Sequence, residues 1–228
     1  MAPALAPASA TCTGYRAVNS PLPPIALFDD VADADQFDAL YALQARTNPR
    51  MLNEVGHIEL IAREQIPFGI PGCSYATGPF THVNPAGSRF SGGSYGVLYI
   101  ADTITTALAE VGHHQQLYWS GVVGLKFDRI VLRGLQCTFA TDLVVDTGSI
   151  ADGAAMSAQD DYTASRAAGR ISRAAGDTGV RYESVRRPGN TCWGLFTPSV
   201  VKKIVHTSHY EMVWDGARIS APYQLTAL

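Results

Sequence analysis

The chain has 228 residues, of which 46% are hydrophobic and 16% are charged, so it can bury the core of one domain. Its formal net charge of -3 gives no basic surface, which disfavours nucleic acid as the main partner. No apolar run approaches the roughly 18 residues of a membrane span. The 4 cysteines form no Cys-x-x-Cys pair, which favours reduced thiols in the cytoplasm over disulfides or a zinc site.

The predicted domain organisation is a short tail followed by one domain. Residues 1–14 include Pro3 and Pro7 and lack the basic start of a signal peptide, so we expect a flexible N-terminal tail. A single domain then covers 15–228, and its first strand begins near Tyr15.

A helical insertion is predicted early in this domain, over residues 33–64. Apolar residues at helical spacing indicate one helix over 33–46, which the Asn48-Pro49 pair ends. A second helix, with less regular spacing, is predicted over 51–64. The insertion therefore precedes the next feature, a long loop.

Glycine and proline are dense from Ile66 to Gly96, which predicts an irregular loop without a regular helix. Long loops in compact domains are usually functional or disordered, and the aromatic residues of this one argue against disorder. Arg89, near the end of the loop, either faces an anionic ligand or is a solvated loop arginine. His82 is a second candidate ligand-binding residue in the same loop.

The loop leads into a predicted strand and helix. The β-prone run Tyr95–Ala101 indicates a short strand, and Asp102 or Thr103 can cap the helix that follows. Apolar residues recur at helical spacing on one face of that helix: Ile104, Ala107, Leu108 and Val111. Glu110 is predicted to lie on the flank of this face, beside the core rather than inside it.

The second half of the chain is predicted to be rich in strands. Three β-like runs follow the central helix, over residues 121–127, 129–135 and 142–146. An alanine-rich helix over 157–176 then leads to Ser184, and the final strands are predicted over 193–196, 200–205 and 211–214. The sequence thus predicts an α+β single domain with a central mixed or antiparallel β core flanked by helices.

Several kinds of catalytic site are disfavoured by the residue patterns. Ser184 lacks the Gly-x-Ser-x-Gly surroundings of a serine nucleophile, and no Gly-x-x-x-x-Gly-Lys-[Ser/Thr] phosphate loop occurs. Glu110 and His113 share a helix face, but one such pair supplies too few ligands for a metal, so we predict no metal site. A glycosidase needs two cooperating carboxylates, and only Glu110 is suitably placed.

Four segments together resemble one known family. They are Gly87-Ser88-Arg89-Phe90-Ser91, Val97-Leu98-Tyr99-Ile100-Ala101-Asp102, Ala107-Leu108-Ala109-Glu110 and Val180-Arg181-Tyr182-Glu183-Ser184-Val185-Arg186. In order and context they resemble the RES-domain family, named for an arginine, a glutamate and a serine. The resemblance covers about residues 15–219. Many members have Arg-Trp-Asn where this chain has Arg89-Phe90-Ser91.

The resemblance implies a fold like that of ADP-ribosyltransferases and NAD+ as a substrate that is consumed. By this resemblance, Glu110 stabilises the cation that develops on the ribose, and Arg89 and Arg16 bind the dinucleotide. Tyr99 packs against nicotinamide, although core packing alone could also account for a strand tyrosine. Ser184 binds the nicotinamide ribose or the carboxamide.

The resemblance also implies a biological context, that of a toxin in a bacterial toxin–antitoxin pair. The expected partner is an Xre-like helix-turn-helix antitoxin, which would make any DNA contact itself. The ADP-ribosyl group can pass to water, to phosphate or to a host protein, and no residue in the sequence selects among these acceptors. A non-catalytic binding module is the alternative from a different class of protein.

Overall fold

The computed structural model describes residues 10–20, 28–29, 31–44, 55–149 and 156–226, which contain both helices and strands. The helices are α1 (Ala34–Gln44), α2 (Cys73–Thr81), α3 (Ile104–Ser120) and α4 (Thr163–Ala174). The strands are β1 (Thr11–Asn19), β2 (Leu98–Ala101), β3 (Asp128–Ala140), β4 (Val144–Asp146), β5 (Gly179–Glu183), β6 (Thr191–Leu195), β7 (Val201–Trp214) and β8 (Tyr223–Leu225).

The strands form one mixed sheet in the order β4-β5-β6-β2-β1-β3-β7-β8. All neighbouring pairs are antiparallel except β4 and β5, which are parallel. The predicted α+β single domain with a mixed β core is confirmed. None of the helices among the described residues combines the length and the apolar character that a membrane span requires.

Alternate residues of the strands point to opposite faces of the sheet, and each face buries its own cluster. Ile100 and Trp193 belong to the cluster that packs beneath α1 and α2, which includes Phe37 and Phe80. Their sequence neighbours Ala101 and Cys192 belong to the second cluster, which packs against α3; its other members include Leu108, Trp119, Leu132, Met212 and Trp214. The helix that carries Glu110 therefore lies on the face opposite α1 and α2.

The prediction that Ile66 to Gly96 form a loop without a regular helix is wrong in one respect, because this segment contains α2. This helix has Pro79 inside it and follows Gly72, whose φ is 79°. It forms because Cys73, Ala76 and Phe80 are buried at helical spacing, and tertiary packing overrides the weak propensity of the segment.

The helical insertion is only partly helical. The first predicted helix is α1, although residues 45–46 of that prediction lie outside the described residues. The second prediction, over 51–64, is wrong from residue 56 onward, since the chain makes two short 3₁₀ turns, Ile58–Leu60 and Arg63–Gln65. Gly56 adopts a φ of 70°, which a continuous helix does not accommodate. Residues 51–54 lie outside the described part.

Several further boundaries differ from the sequence prediction, and the strand predicted over Tyr95–Ala101 begins only at Leu98. The run 121–127 is not a strand, because α3 ends at Gly121 and Gly124 turns the chain with a φ of 78°. The runs over 200–205 and 211–214 are one strand, β7. The helix predicted from 157 begins only at Thr163. Strand β1 begins at Thr11, inside the predicted tail, of which residues 1–9 lie outside the described residues.

Candidate active site

Glu110 is positioned by the junction between β2 and α3. The Thr103 side chain caps α3 by accepting a hydrogen bond from the Thr106 N–H at 3.1 Å, which satisfies a free backbone donor of the first turn. Ala107 and Leu108 are buried against the sheet. Glu110 is consequently half-buried on the flank of this face, as predicted from the sequence, and lines a cavity.

Ser184 holds the Glu110 carboxylate. Its hydroxyl donates to Glu110 Oε1 at 2.7 Å, and its Oγ accepts a hydrogen bond from the Arg187 N–H at 3.0 Å. The side chain is 1% exposed, so this contact is shielded from competing water. The sequence predicted that Ser184 follows a helix, but Ser184 follows strand β5. This strand brings Ser184 to Glu110 on α3, a residue 74 positions away in sequence.

A second polar contact ties the β2–α3 junction to the chain that follows Ser184. Asp102 Oδ2 accepts hydrogen bonds from Asn190 Nδ2 at 3.0 Å and from the Thr191 N–H at 2.8 Å. Burial alone would raise the pKa of the Asp102 carboxyl, but the hydrogen bonds from Thr191 and Asn190 lower it overall. The segments that carry Glu110 and Ser184 are thereby fixed to each other.

Arg89 is a buried cation, since it is 7% exposed. Its Nη1 donates to the carbonyl oxygens of Met156 and Ala158, each at 3.0 Å, and its guanidinium lies 4.6 Å from the centre of the Tyr162 ring. These contacts tie Arg89 to the irregular segment ahead of α4, which begins at Thr163. No carboxylate within the described residues forms a salt bridge with Arg89.

The loop that carries Arg89 is held by α4. Ser165 donates from its Oγ to the Arg89 carbonyl oxygen at 2.7 Å, and Arg166 donates to the carbonyl oxygens of Ser88 and Ala86. Gly169 packs so closely on the Phe90 backbone that a Cβ would lie 2.2 Å from its carbonyl oxygen. The arginine is therefore preorganised by backbone contacts.

Tyr99 and Arg16 form the wall between this loop and the sheet. The Tyr99 hydroxyl is 2.8 Å from Ser88 Oγ and accepts a hydrogen bond from the Phe90 N–H at 2.9 Å. Burial raises the pKa of Tyr99 to about 12, so the phenol stays neutral. Arg16 Nη1 donates to the Tyr99 carbonyl oxygen at 3.1 Å, and burial lowers the pKa of Arg16.

These elements surround a cavity of about 710 Å³. The cavity joins four of the predicted residues, which are Arg16, Arg89, Tyr99 and Glu110. Ser184 does not line it but contacts it through Glu110. His82 lies apart from it, beside a smaller cavity of about 140 Å³ that shares Arg16, Asn84, Gly87, Ser88 and Tyr99 with the larger one. The two cavities therefore adjoin.

Sequence reasoning missed other residues that line the larger cavity, among them His114, Asp160, Tyr162 and Tyr182. Two of them carried a signal. His114 is four positions after Glu110 on a helix, and Tyr182 is two positions before Ser184 at the end of a strand, so each shares a face with a predicted residue. Asp160 and Tyr162 had no such signal, because they lie in an irregular segment. The described residues contain no group of three potential metal ligands.

The cavity beside the mixed sheet is lined by an acid, two arginines and several tyrosines, a set of side chains that is chemically suited to an anionic ligand with flat rings. A family model described as the RES domain matches residues 66–215, so the chain belongs to the RES domain family. Membership is consistent with an NAD-related enzymatic role. The chain is also 29% identical over 213 residues to the uncharacterized protein y4oC of Sinorhizobium fredii (strain NBRC 101917 / NGR234), covering 92% of this chain and 86% of that protein.

Proposed function

We propose that this protein cleaves the nicotinamide–ribose bond of NAD+, releases nicotinamide and passes ADP-ribose to water or phosphate. The observation that carries the proposal is the Glu110 carboxylate, held by Ser184 Oγ at 2.7 Å and facing a cavity that Arg16 and Arg89 also line. Cleavage of this bond builds positive charge on the ribose while nicotinamide leaves as a neutral base. A fixed carboxylate beside the ribose interacts more strongly as that charge develops, which lowers the barrier.

Glu110 retains the hydrogen-bonding capacity that the ribose needs. Ser184 occupies Oε1, and within the described residues no donor contacts Oε2. An ionised carboxylate can accept several hydrogen bonds, so Oε2 is available to a ribose hydroxyl. In this proposal Ser184 is a positioning residue, and Glu110 is the catalytic residue.

The two arginines supply the charge that a pyrophosphate requires. Neither Arg16 nor Arg89 forms a salt bridge to a carboxylate within the described residues, and both line the cavity. A cation removed from water is costly unless an anion compensates it. A pyrophosphate bound between them would compensate both, and the planar guanidinium group is suited to two parallel hydrogen bonds with phosphate oxygens.

Nicotinamide release by the purified protein tests the reaction. We expect Glu110→Gln, which keeps the side-chain size, to lower kcat about 100-fold, because one electrostatic partner in a transition state contributes about 3 kcal/mol. Glu183→Gln is the matched control, since Glu183 is exposed at the end of β5 and does not line the cavity. A folded Glu110→Gln protein that releases nicotinamide at the wild-type rate would refute the assignment.

The acceptor is tested by following labelled NAD+ in the presence of phosphate and a cell lysate. We expect the label in free ADP-ribose or in its 1-phosphate. Label in a protein band would identify a mono-ADP-ribosyltransferase instead. Binding of NAD+ without any nicotinamide release would identify a non-catalytic binding module and overturn the proposal.

The proposed biological role is that of a toxin, with an Xre-like helix-turn-helix antitoxin as partner. This part of the proposal is supported by membership of the RES domain family alone. Depletion of cellular NAD+ on expression, relieved by the Glu110→Gln substitution, would support it. Normal growth and normal NAD+ in cells that express the active wild-type protein would contradict it.

A further inference from the structure

One face of helix α3 forms a wall of the larger cavity. Its cavity-lining residues follow helical spacing, and they are Ala107, Glu110, Val111, His114 and Leu117. Only two of them are polar, Glu110 and His114, and they lie one turn apart. Side chains four positions apart on a helix have Cβ atoms about 5–6 Å from each other. A small molecule bound at Glu110 would therefore also lie within reach of His114.

His114 lies at the open end of this wall. Both His114 and Leu117 line the cavity and are exposed, Leu117 by 55%, whereas Glu110 is only half-exposed. Among the described residues, the His114 ring contacts the His113 ring, with 5.5 Å between the ring centres. No hydrogen bond to either His114 ring nitrogen is present among those residues. A molecule that accepts the ADP-ribosyl group, entering from solvent towards Glu110, thus passes the His114 imidazole. The ring nitrogens are available to form a hydrogen bond with it.

Charged groups from several elements set the protonation of His114. His114 is exposed as a residue, but protein atoms around its ring exclude part of the water; this desolvation, the largest influence, lowers its pKa, and Arg186 after β5 and Arg89 from the site loop lower it further. Glu110 on the same helix opposes them by raising the pKa. The remaining ionisable neighbours are His113, also on α3, and Asp160, Arg16, Tyr15, Tyr99, Tyr162, Tyr182 and Cys192 around the cavity. The imidazole is consequently neutral near pH 7 and able to accept a proton.

We propose that His114 is the general base for the acceptor that attacks the ribose. The inference rests on the proposed function and assigns a residue to the attack of the acceptor, which is concerted with the departure of nicotinamide. An acceptor hydroxyl, from water or from phosphate, donates its proton to His114 as its oxygen bonds to C1′. The electron pair of the C1′–N1 bond leaves with nicotinamide, which becomes neutral, and the imidazolium later releases its proton to solvent. Atoms and charge balance without a metal or a redox partner.

The test compares wild type with His114→Gln across pH 5 to 8, with nicotinamide release as the readout. General-base catalysis contributes about 100-fold or more, so we expect His114→Gln to lower kcat about 100-fold with little change in KM for NAD+. In wild type, kcat should rise with pH as His114 loses its proton and should level off near neutrality. In His114→Gln this rise should be absent. His113→Gln is the matched control, because His113 is adjacent on α3 but does not line the cavity.

A second variant separates a chemical role from a structural one. Imidazole added at millimolar concentration should restore part of the kcat of His114→Ala, because the site opens to solvent, and should not affect His113→Ala. If His114→Gln keeps the wild-type rate and pH profile, the inference is wrong while the proposed function stands. If wild type releases no nicotinamide, both are wrong. If His114→Gln loses activity but keeps the pH rise, and imidazole rescues nothing, His114 is not the base.

Discussion

Removal of the Ser184 hydroxyl should weaken catalysis through Glu110. In Ser184→Ala, the Glu110 carboxylate loses its 2.7 Å hydrogen bond, and the Arg187 N–H loses its acceptor at 3.0 Å. A hydrogen bond to a charged group contributes about 1.5–3 kcal/mol, which corresponds to about 10- to 150-fold. We expect kcat to fall by about that factor, because Glu110 would no longer be held at the position where charge develops. KM for NAD+ should change little.

A matched control distinguishes this effect from lost stability. Ser172 is also buried and donates to a carboxylate, Asp177 Oδ2, at 2.5 Å, but it lies on α4 and does not line the cavity. Ser172→Ala and Ser184→Ala should show comparable losses in the free energy of unfolding, measured with urea. Only Ser184→Ala should lose nicotinamide release. Equal kinetics in the two variants, or wild-type kcat in a folded Ser184→Ala protein, would refute the assignment of Ser184 as a positioning residue.

Two further substitutions test the loop. Arg89→Lys should raise KM for NAD+ about tenfold in steady-state kinetics, since an ammonium group cannot reproduce the guanidinium fork; an unchanged KM would exclude pyrophosphate binding by Arg89. Tyr99→Phe leaves the Phe90 N–H unpaired and should cost about 1–3 kcal/mol in urea unfolding. Because burial raises the pKa of Tyr99 to about 12, its contribution to stability is present below pH 10 and lost towards pH 12. Between pH 10 and pH 12, the free energy of unfolding of wild type should therefore fall more steeply with pH than that of Tyr99→Phe. Equal falls in the two proteins would contradict this.

The sequence predicted the β2–α3 unit well because its signals are local. A β-prone run, a capping threonine and apolar residues at helical spacing all act within 20 residues of each other, from Tyr95 to Val111. The predicted position of Glu110 on the flank of the helix follows from the helical period alone. The α+β class is also confirmed, since the sheet is mixed and mostly antiparallel and several strands follow one another without an intervening α-helix.

The parts that the sequence did not predict depend on distant contacts. Helix α2 forms around Pro79 because Cys73, Ala76 and Phe80 are buried against residues far away in sequence, and the dense glycine and proline of the segment outweighed their helical spacing in the sequence prediction. The helix predicted over 157–176 is wrong at its start. There Arg89 donates hydrogen bonds to the carbonyl oxygens of Met156 and Ala158. The irregular segment before α4 is thus tied to a residue 67 positions away, and a local hydrogen bond from the Thr163 N–H to Asp161 Oδ1 at 2.9 Å lies at the start of the helix.

The sheet order explains how Glu110 and Ser184 meet. Strand β6 lies between β5, which precedes Ser184, and β2, which leads to Glu110. Neighbouring strands are about 4.8 Å apart, so the ends of β5 and β2 are separated by about 10 Å, a gap that two side chains can close. Asp102 fixes that separation through Asn190 and Thr191. Because the acid and its positioning hydroxyl extend from paired strands and a capped helix, the carboxylate is held in place before a ligand binds, as electrostatic catalysis requires.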